Sequence, residues 1–152
     1  MDRLTKPMQQ LIRNYNAGAV ATVNDDGTPA VSPKATFVVI DEQCIAYGNI
    51  RSPATNANLR QRPDVEVTFI DILQRLAVRV KGRAEIAEKN SELGRELMPH
   101  FEEYWSPYLD VMQDFVCIHV DSAELITSPG YDVGLSRDEM VQANFDKIQK
   151  LV

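Results

Sequence analysis

The stretch Asn49-Ile-Arg-Ser-Pro-Ala-Thr-Asn-Ala-Asn-Leu59 predicts a β-strand that stops at the start of a short helix. Ser52 is a favourable N-cap residue, and the proline after it suits the first helical position. Thr55 and Asn58 follow at a spacing of three residues, which places them on one side of the helix start. A helix start with a hydroxyl cap and a neighbouring arginine, here Arg51, is suited to binding anions. The stretch therefore predicts a site for the phosphate of a small molecule.

Three strands are predicted ahead of this helix. Residues 19–23 form the first, and the turn that ends at Gly27 leads into a long second strand over residues 29–40. The third covers residues 44–48. Pro33 lies inside the second strand and cannot donate to a β-ladder, so it indicates an edge, a bulge or a bend.

Three further strands and three further helices are predicted in the rest of the chain. The strand over residues 75–86 is apolar on one face and mostly charged on the other, as expected of a half-buried strand. Ser136 and Glu139 form a capping box ahead of a C-terminal helix. The remaining predictions are helices at 3–14, with Asp2 as a possible cap, and 90–101, strands at 65–70 and 115–126, and an irregular aromatic segment at 102–110.

Six strands joined mainly by hairpins, with small helices between and after them, are typical of a small antiparallel β-barrel. The 152 residues suffice for one domain with a substantial core and are too few for two ordinary domains. We expect a single domain over residues 1–152, with a barrel core at 17–126 and a C-terminal extension at 127–152.

The composition excludes several classes of function. The net charge of −6 argues against general nucleic-acid binding, which depends on an excess of lysine and arginine. No apolar run approaches the roughly 20 residues of a membrane span, and the first residues show no signal-peptide core. A cytoplasmic protein is therefore expected. Cys44 and Cys117 lack the spacing of metal ligands and are interpreted as buried free thiols, so no metal site is predicted.

Taken in order, the motifs resemble those of the pyridoxamine 5′-phosphate oxidase family of FMN-binding split barrels. The resemblance covers roughly the first two-thirds of the chain and extends weakly through the last strand. It rests on residues 19–23, 27–29, 31–34, 51–52, 55–59, 63–65 and 78–82.

The resemblance implies a six-stranded antiparallel split β-barrel that works as a homodimer, with two FMN molecules in the clefts between subunits. It also implies a set of cofactor-binding residues. The phosphate would be held by Arg51, Ser52, Thr55 and Asn58, and the isoalloxazine ring would lie along Val31, Ser32, Pro33 and Lys34, with Asn49 and Ile50 continuing that wall.

The chain also departs from the family pattern. The Arg-Lys pair with which the vitamin-making oxidases grip the FMN phosphate is not plainly present, because Ser52 and a proline follow Arg51. The C-terminal region lacks the expected arginine and histidine signature for substrate recognition. Pyridoxine phosphate is therefore not the expected substrate.

Four further side chains have both a structural and a functional interpretation. Lys34 is either a solvated lysine or a positive charge near the flavin's N1–C2 edge. Lys81 belongs either to a charged outer strand face or to the phosphate site. Trp105 and Tyr108 either pack in the core or dimer interface, or one of them covers the flavin of the other subunit.

The function expected from these features is that of an FMN-dependent oxidoreductase that acts on a small molecule or a nicotinamide donor. The alternative is a non-catalytic flavin-binding protein that acts as a redox carrier, store or sensor. No acid–base dyad stands out, which is consistent with chemistry carried by a cofactor. His100 and His119 show no spacing that supports haem binding, and neither is predicted to be catalytic.

Overall fold

The computed structural model describes residues 3–152. Within this range the chain forms seven β-strands, four α-helices and one 3₁₀-helix. The strands are β1 (Gly18–Val23), β2 (Pro29–Lys34), β3 (Phe37–Val39), β4 (Cys44–Asn49), β5 (Asp64–Asp71), β6 (Leu76–Glu88) and β7 (Asp114–Thr127). The helices are α1 (Lys6–Asn14), α2 (Pro53–Gln61), α3 (Glu92–Trp105) and α4 (Arg137–Gln149), and the 3₁₀-helix spans Ser106–Val111.

The seven strands form one curled antiparallel sheet in the order β2-β1-β5-β6-β7-β4-β3. Its two outermost strands, β2 and β3, are consecutive in the chain and are separated only by Ala35 and Thr36. Three peptide links reach about 11 Å, which is far less than the width of a flat seven-stranded sheet. The sheet must therefore curl until its two edges meet, which gives the predicted split barrel.

The predicted count of six strands is wrong by one, because the long second strand divides at Ala35 and Thr36 into β2 and β3. The Thr36 side chain replaces ladder bonds at the break: its hydroxyl donates to the Gly48 carbonyl at 2.8 Å and accepts from the Gly48 amide at 3.0 Å. Pro33 lies on β2, an edge strand that pairs only with β1. This confirms that the proline marks an edge.

Two predicted helix boundaries also differ from the structure. α1 begins at Lys6 rather than residue 3, because the Thr5 side chain accepts from the Met8 amide and caps the helix there. Asp2, the suggested cap, lies outside the described residues. α3 continues to Trp105, so part of the segment predicted as irregular is helical and the rest is the 3₁₀-helix.

The core lies inside the curled sheet, where the alternating apolar residues of β5 and β6 point inward. Phe37 packs edge-on against Phe69 with ring centroids 4.8 Å apart, which joins β3, the last strand in the sheet order, to β5, the third. A second cluster lies on the outer face under α3. There Phe101 stacks on Phe115 at 4.3 Å. The two clusters fix β4 between them, and β4 is buried along its whole length.

α4 lies against the β5–β6 turn. The predicted Ser136 cap is confirmed, since its hydroxyl accepts from the Glu139 amide at 3.1 Å. The Glu139 carboxylate accepts from the Ser136 hydroxyl rather than from its backbone amide, so the box is only half formed. Asn144 donates to the Leu73 carbonyl at 2.9 Å, which ties the helix to the turn. Among residues 3–152, no helix has the length and apolar character that crossing a membrane requires.

Candidate functional site

A cleft of about 360 Å³ opens at the seam where the sheet edges meet. Its walls come from the end of β2 and the break that follows it, from the end of β4 and the start of α2, and from the end of α3. The lining residues are Pro33, Lys34, Ala35, Thr36, Gly48, Ile50, Arg51, Ser52, Trp105 and Tyr108.

The start of α2 presents unused donors to this cleft. Ser52 occupies the N-cap position as predicted, but its hydroxyl makes no capping hydrogen bond. The other three α-helices of residues 3–152 are each capped by the side chain of Thr5, Ser91 or Ser136. The first backbone bond of α2 runs from the Asn56 amide to the Ser52 carbonyl, so the two preceding amides lie ahead of the helical ladder. The Ser52 hydroxyl and the helix start can therefore face an anion.

Two cations line the cleft with no carboxylate partner. Arg51 is exposed, and neither it nor Lys34 forms a salt bridge with any residue between 3 and 152. Lys34 is half-buried and donates to the Ser32 hydroxyl at 2.6 Å. Burial lowers the pKa of Lys34, because the charged ammonium loses part of its hydration. In a chain of net charge −6, two unpaired cations in one cleft favour an anionic ligand.

Two aromatic side chains form part of the lining of the cleft. The ring centroids of Trp105 and Tyr108 lie 6.1 Å apart, and the Trp105 indole nitrogen donates to the Phe37 carbonyl at 3.3 Å. This bond fixes the indole against the sheet edge. Pro33 and Ile50 add apolar surface to the lining. The cleft thus combines two cations with apolar and aromatic surface suited to a planar ring. Both aromatic residues come from the same chain as Arg51, so this part of the lining does not depend on a second subunit.

A buried polar cluster holds α2 in place beneath the cleft. The Asn56 side chain donates to both carboxylate oxygens of Asp114, at 3.1 and 3.3 Å. The hydroxyl of Tyr47 and the side-chain oxygens of Asn49 and Asn56 are buried without a hydrogen-bond partner among the described residues. Burial, and then the Asp114 charge, raise the pKa of Tyr47. The cluster ties the first turn of α2 to the start of β7.

The structure brings together half of the twelve predicted cofactor-binding residues. Pro33, Lys34, Ile50, Arg51, Ser52 and Trp105 line the cleft, whereas Val31, Ser32, Asn49, Thr55, Asn58 and Lys81 do not.

Two of the residues outside the cleft have clear alternative surroundings. Asn58 donates to the side chains of Thr22 and Asn24, each at 3.0 Å, which joins α2 to β1. Lys81 lies beside a separate cleft of about 490 Å³. Its strand neighbours there are Glu66 and Ser122. Within one chain, Asn58 and Lys81 therefore lie away from the Arg51 cleft.

Thr36 and Gly48 line the cleft although neither was predicted from the sequence. A β-carbon on Gly48 would lie 2.3 Å from the Met112 sulfur, so only glycine fits without displacement of Met112. Gly48 could have been identified from its position, because it immediately precedes Asn49 at the end of the strand that leads to the predicted phosphate site. Thr36 gave no local signal, because its role depends on the break between β2 and β3.

Comparisons with known proteins agree with this architecture. The family model described as pyridoxamine 5′-phosphate oxidase matches residues 4–128. No curated protein matches the chain significantly.

Three solved structures illustrate the range of similar proteins. HupZ from Group A Streptococcus is 25 % identical, with 82 % of this chain and 94 % of that chain covered and a TM-score of 0.67. An FMN-binding protein from Syntrophomonas wolfei is 13 % identical over 79 % of this chain and 84 % of that chain, with a TM-score of 0.64. HutZ, a haem storage protein from Vibrio cholerae, is 20 % identical over 82 % of this chain and 94 % of that chain, with a TM-score of 0.63.

The likenesses to the Syntrophomonas and Vibrio proteins show the fold alone, whereas the family model spans most of the chain, from α1 into the end of β7. On that match, the chain belongs to the pyridoxamine 5′-phosphate oxidase family.

Proposed function

We propose that the chain binds FMN in the Arg51 cleft and acts as an FMN-dependent oxidoreductase on a small molecule or nicotinamide donor. The observation that carries the proposal is the pairing of two cations, Arg51 and Lys34, with the unused Ser52 hydroxyl in a cleft that also has an aromatic wall. FMN has the matching parts, a phosphate dianion and a planar ring. When bound, it supplies hydride or electron transfer through the isoalloxazine.

The residues of this chain would contribute binding, orientation and charge. Arg51 and Ser52 would hold the phosphate at the start of α2, where the helix dipole adds attraction for the anion. Lys34 would place a positive charge beside the ring and stabilise its reduced, anionic form. Trp105 and Tyr108 would cover an apolar ring face and exclude water from it.

The residues also favour a flavin over haem, although a protein of the same fold, HutZ, is a haem storage protein. A haem site needs an axial ligand, most often histidine, cysteine, methionine or tyrosine. Neither histidine of the chain lines the Arg51 cleft. Of these four residue types, only a tyrosine, Tyr108, lines that cleft. FMN requires no such ligand.

The proposal includes a homodimer and a cytoplasmic location. A protein of this family with a cleft open at a barrel seam would complete the site with surface from a second copy. Scattering at micromolar concentration should give twice the chain mass of 17.1 kDa, and a mass of one chain would contradict the dimer. The two buried cysteines are free thiols, which suits a reducing compartment.

The sharpest test compares FMN with riboflavin, which lacks the phosphate. Arg51→Ala should raise the dissociation constant for FMN by about 10- to 100-fold, because a charged hydrogen bond contributes about 1.5–3 kcal/mol. Riboflavin binding should change little. Arg60→Ala is the matched control, since Arg60 is also an exposed arginine of α2 but lies in its last turn. Equal FMN affinity in the parent and Arg51→Ala would reject the site.

A second candidate function is a non-catalytic flavin carrier, store or sensor. The two aromatic side chains favour this second function if Trp105 and Tyr108 cover the ring and leave no room for a substrate. Stopped-flow reduction distinguishes the two functions. An enzyme should let NADH, NADPH or a small reductant reduce bound FMN faster than free FMN, whereas a carrier should not.

A further inference from the structure

Three neighbouring strands bring four reactive side chains together on the outer face of the sheet, away from the Arg51 cleft. In the ladder between β4 and β7, Cys44 lies directly opposite His119. In the ladder between β6 and β7, Glu85 lies directly opposite Cys117. Cys117 and His119 are two residues apart on β7, so their side chains share a face. The sheet register therefore gathers residues that are far apart in sequence.

The ligand atoms of this group are close enough to share one ion. The two sulfurs and a ring nitrogen of His119 all lie within 4.8 Å of one another. The sulfurs of Cys44 and Cys117 are 2.7 Å apart. The Nε2 atom of His119 lies 3.0 Å from a carboxylate oxygen of Glu85. Both cysteines are buried, whereas the side chains of His119 and Glu85 are more than half exposed. An ion could therefore reach the sulfurs from solvent past the histidine.

The register argues against a disulfide between these cysteines. Cys44 pairs with His119, and Cys117 pairs with Ala46, so the two cysteines are diagonal neighbours. Diagonal neighbours in an antiparallel pair have Cα atoms about 7–8 Å apart, which exceeds the roughly 6.8 Å upper limit for an unstrained disulfide. The two thiols are therefore expected to remain free to bind a ligand.

We propose that Cys44, Cys117 and His119 bind one thiophilic metal ion, with Zn²⁺ as the preferred ion. Two thiolates and an imidazole are a ligand set that zinc takes, with a fourth position left for water. Glu85 would hold Nε2 of His119 and leave Nδ1 for the metal, as carboxylates do for metal-bound histidines. Sulfurs on a tetrahedral zinc lie about 3.8 Å apart, so the two thiols must separate by about 1 Å on binding.

The local charges favour a cation at this point. The negative charges of Asp41 and Glu85 lie close enough to interact with both cysteines, and that of Asp121 lies close enough to interact with His119. A bound cation would offset this concentration of negative charge.

The test uses the full chain without a histidine tag, reduced and freed of metal. Zn²⁺ titrated against a chromophoric chelator should bind at one ion per chain, and Co²⁺ should give a thiolate charge-transfer band. His119→Ala and Cys117→Ser should each weaken Zn²⁺ binding by at least about tenfold, and Glu85→Gln by about tenfold. His100→Ala is the matched control and should bind Zn²⁺ like the parent.

Two results would overturn the proposal. One is a reduced parent protein that takes up no Zn²⁺ from the competing chelator. The other is a His119→Ala protein that binds Zn²⁺ and Co²⁺ as the parent does. Because the His119 side chain is exposed, this variant should fold even if Cys117→Ser, at a buried position, does not. The readouts need no flavin, so they are independent of the function proposed above.

Discussion

Asn56 in the first turn of α2 donates its side-chain amide to both carboxylate oxygens of Asp114, the first residue of β7. Both residues are buried, at 2 % and 8 % exposure. The helix start that forms the anion-binding end of the cleft is therefore anchored to a strand that follows it by more than fifty residues.

We expect Asn56→Ala to lower both the free energy of unfolding and the affinity for FMN. The substitution leaves a buried carboxylate without its donor, which costs about 1–3 kcal/mol or more. Denaturant unfolding should measure the loss, and an FMN titration should show weaker binding because Arg51 and Ser52 are less well held. Gln61→Ala, at an exposed position of the same helix, should change neither. Parent-like stability in Asn56→Ala would show that the anchor contributes nothing.

Lys34 predicts a pH dependence of FMN binding. Burial lowers its pKa in the folded protein below the usual 10.5, so at neutral pH its charge opposes folding. Between the folded and unfolded pKa values the unfolded chain binds more protons, and the stability of the free protein therefore rises with pH in that window. A bound anion favours the charged lysine, so FMN affinity should fall as pH rises through the folded pKa.

Titrations of FMN between about pH 7 and about pH 9.5 would check this dependence. Lys34→Met should bind FMN more weakly at neutral pH and should lose that component of the pH profile. Calorimetry in two buffers of different ionisation enthalpy should detect proton uptake by the parent on the alkaline side. Identical pH profiles for the parent and Lys34→Met would remove Lys34 from the site.

Trp105 should report FMN binding through its fluorescence. It is the only tryptophan in the chain, and it lines the cleft. A flavin ring against the indole should quench most of the emission, with a concentration dependence equal to that of binding measured by flavin absorbance. Trp105→Phe should retain FMN with a modestly raised dissociation constant and no tryptophan signal. Saturation with FMN at unchanged Trp105 emission would place the flavin elsewhere.

Gly48 and Met112 should be energetically coupled. A β-carbon at position 48 would collide with the sulfur of Met112, a residue that is only 2 % exposed. Gly48→Ala should cost about 1–3 kcal/mol of stability through overpacking. Met112→Ala should also destabilise the protein, by leaving a cavity. The double variant should be more stable than the sum of the two single losses predicts, and strict additivity in a double-mutant cycle would argue against the contact.

Most of the cleft could be predicted from the sequence because most of its lining residues are close together in the chain. Eight of the ten lining residues lie between Pro33 and Ser52, within one hairpin and the helix start that follows it. Strand alternation and helix caps are local signals, and they were sufficient for this segment. Even there, the break at Thr36 was missed, because its hydroxyl bonds to Gly48, twelve residues away, replace ladder bonds that no periodicity reveals.

The remaining features depend on strand register, which the sequence did not specify. Lys81 carries the positive charge expected of a phosphate ligand. Its position on β6 opposite Glu66, however, places it beside another cleft. Asn58 follows Thr55 at the expected spacing, yet its amide is used by Thr22 and Asn24 of the first hairpin. The Cys44 and Cys117 cluster was missed for the same reason: sequence spacing reveals metal ligands only when they are neighbours in the chain.

The position of β7 between β6 and β4 has a consequence for how the protein folds during synthesis. β4 leaves the ribosome long before β7, the strand that will pair with its inner edge. Until β7 arrives, β4 and β6 each expose an edge of unpaired backbone groups. A nascent chain that stalls before residue 114 would be prone to aggregate, and cells that make this protein would need to shield that edge until the last strand arrives.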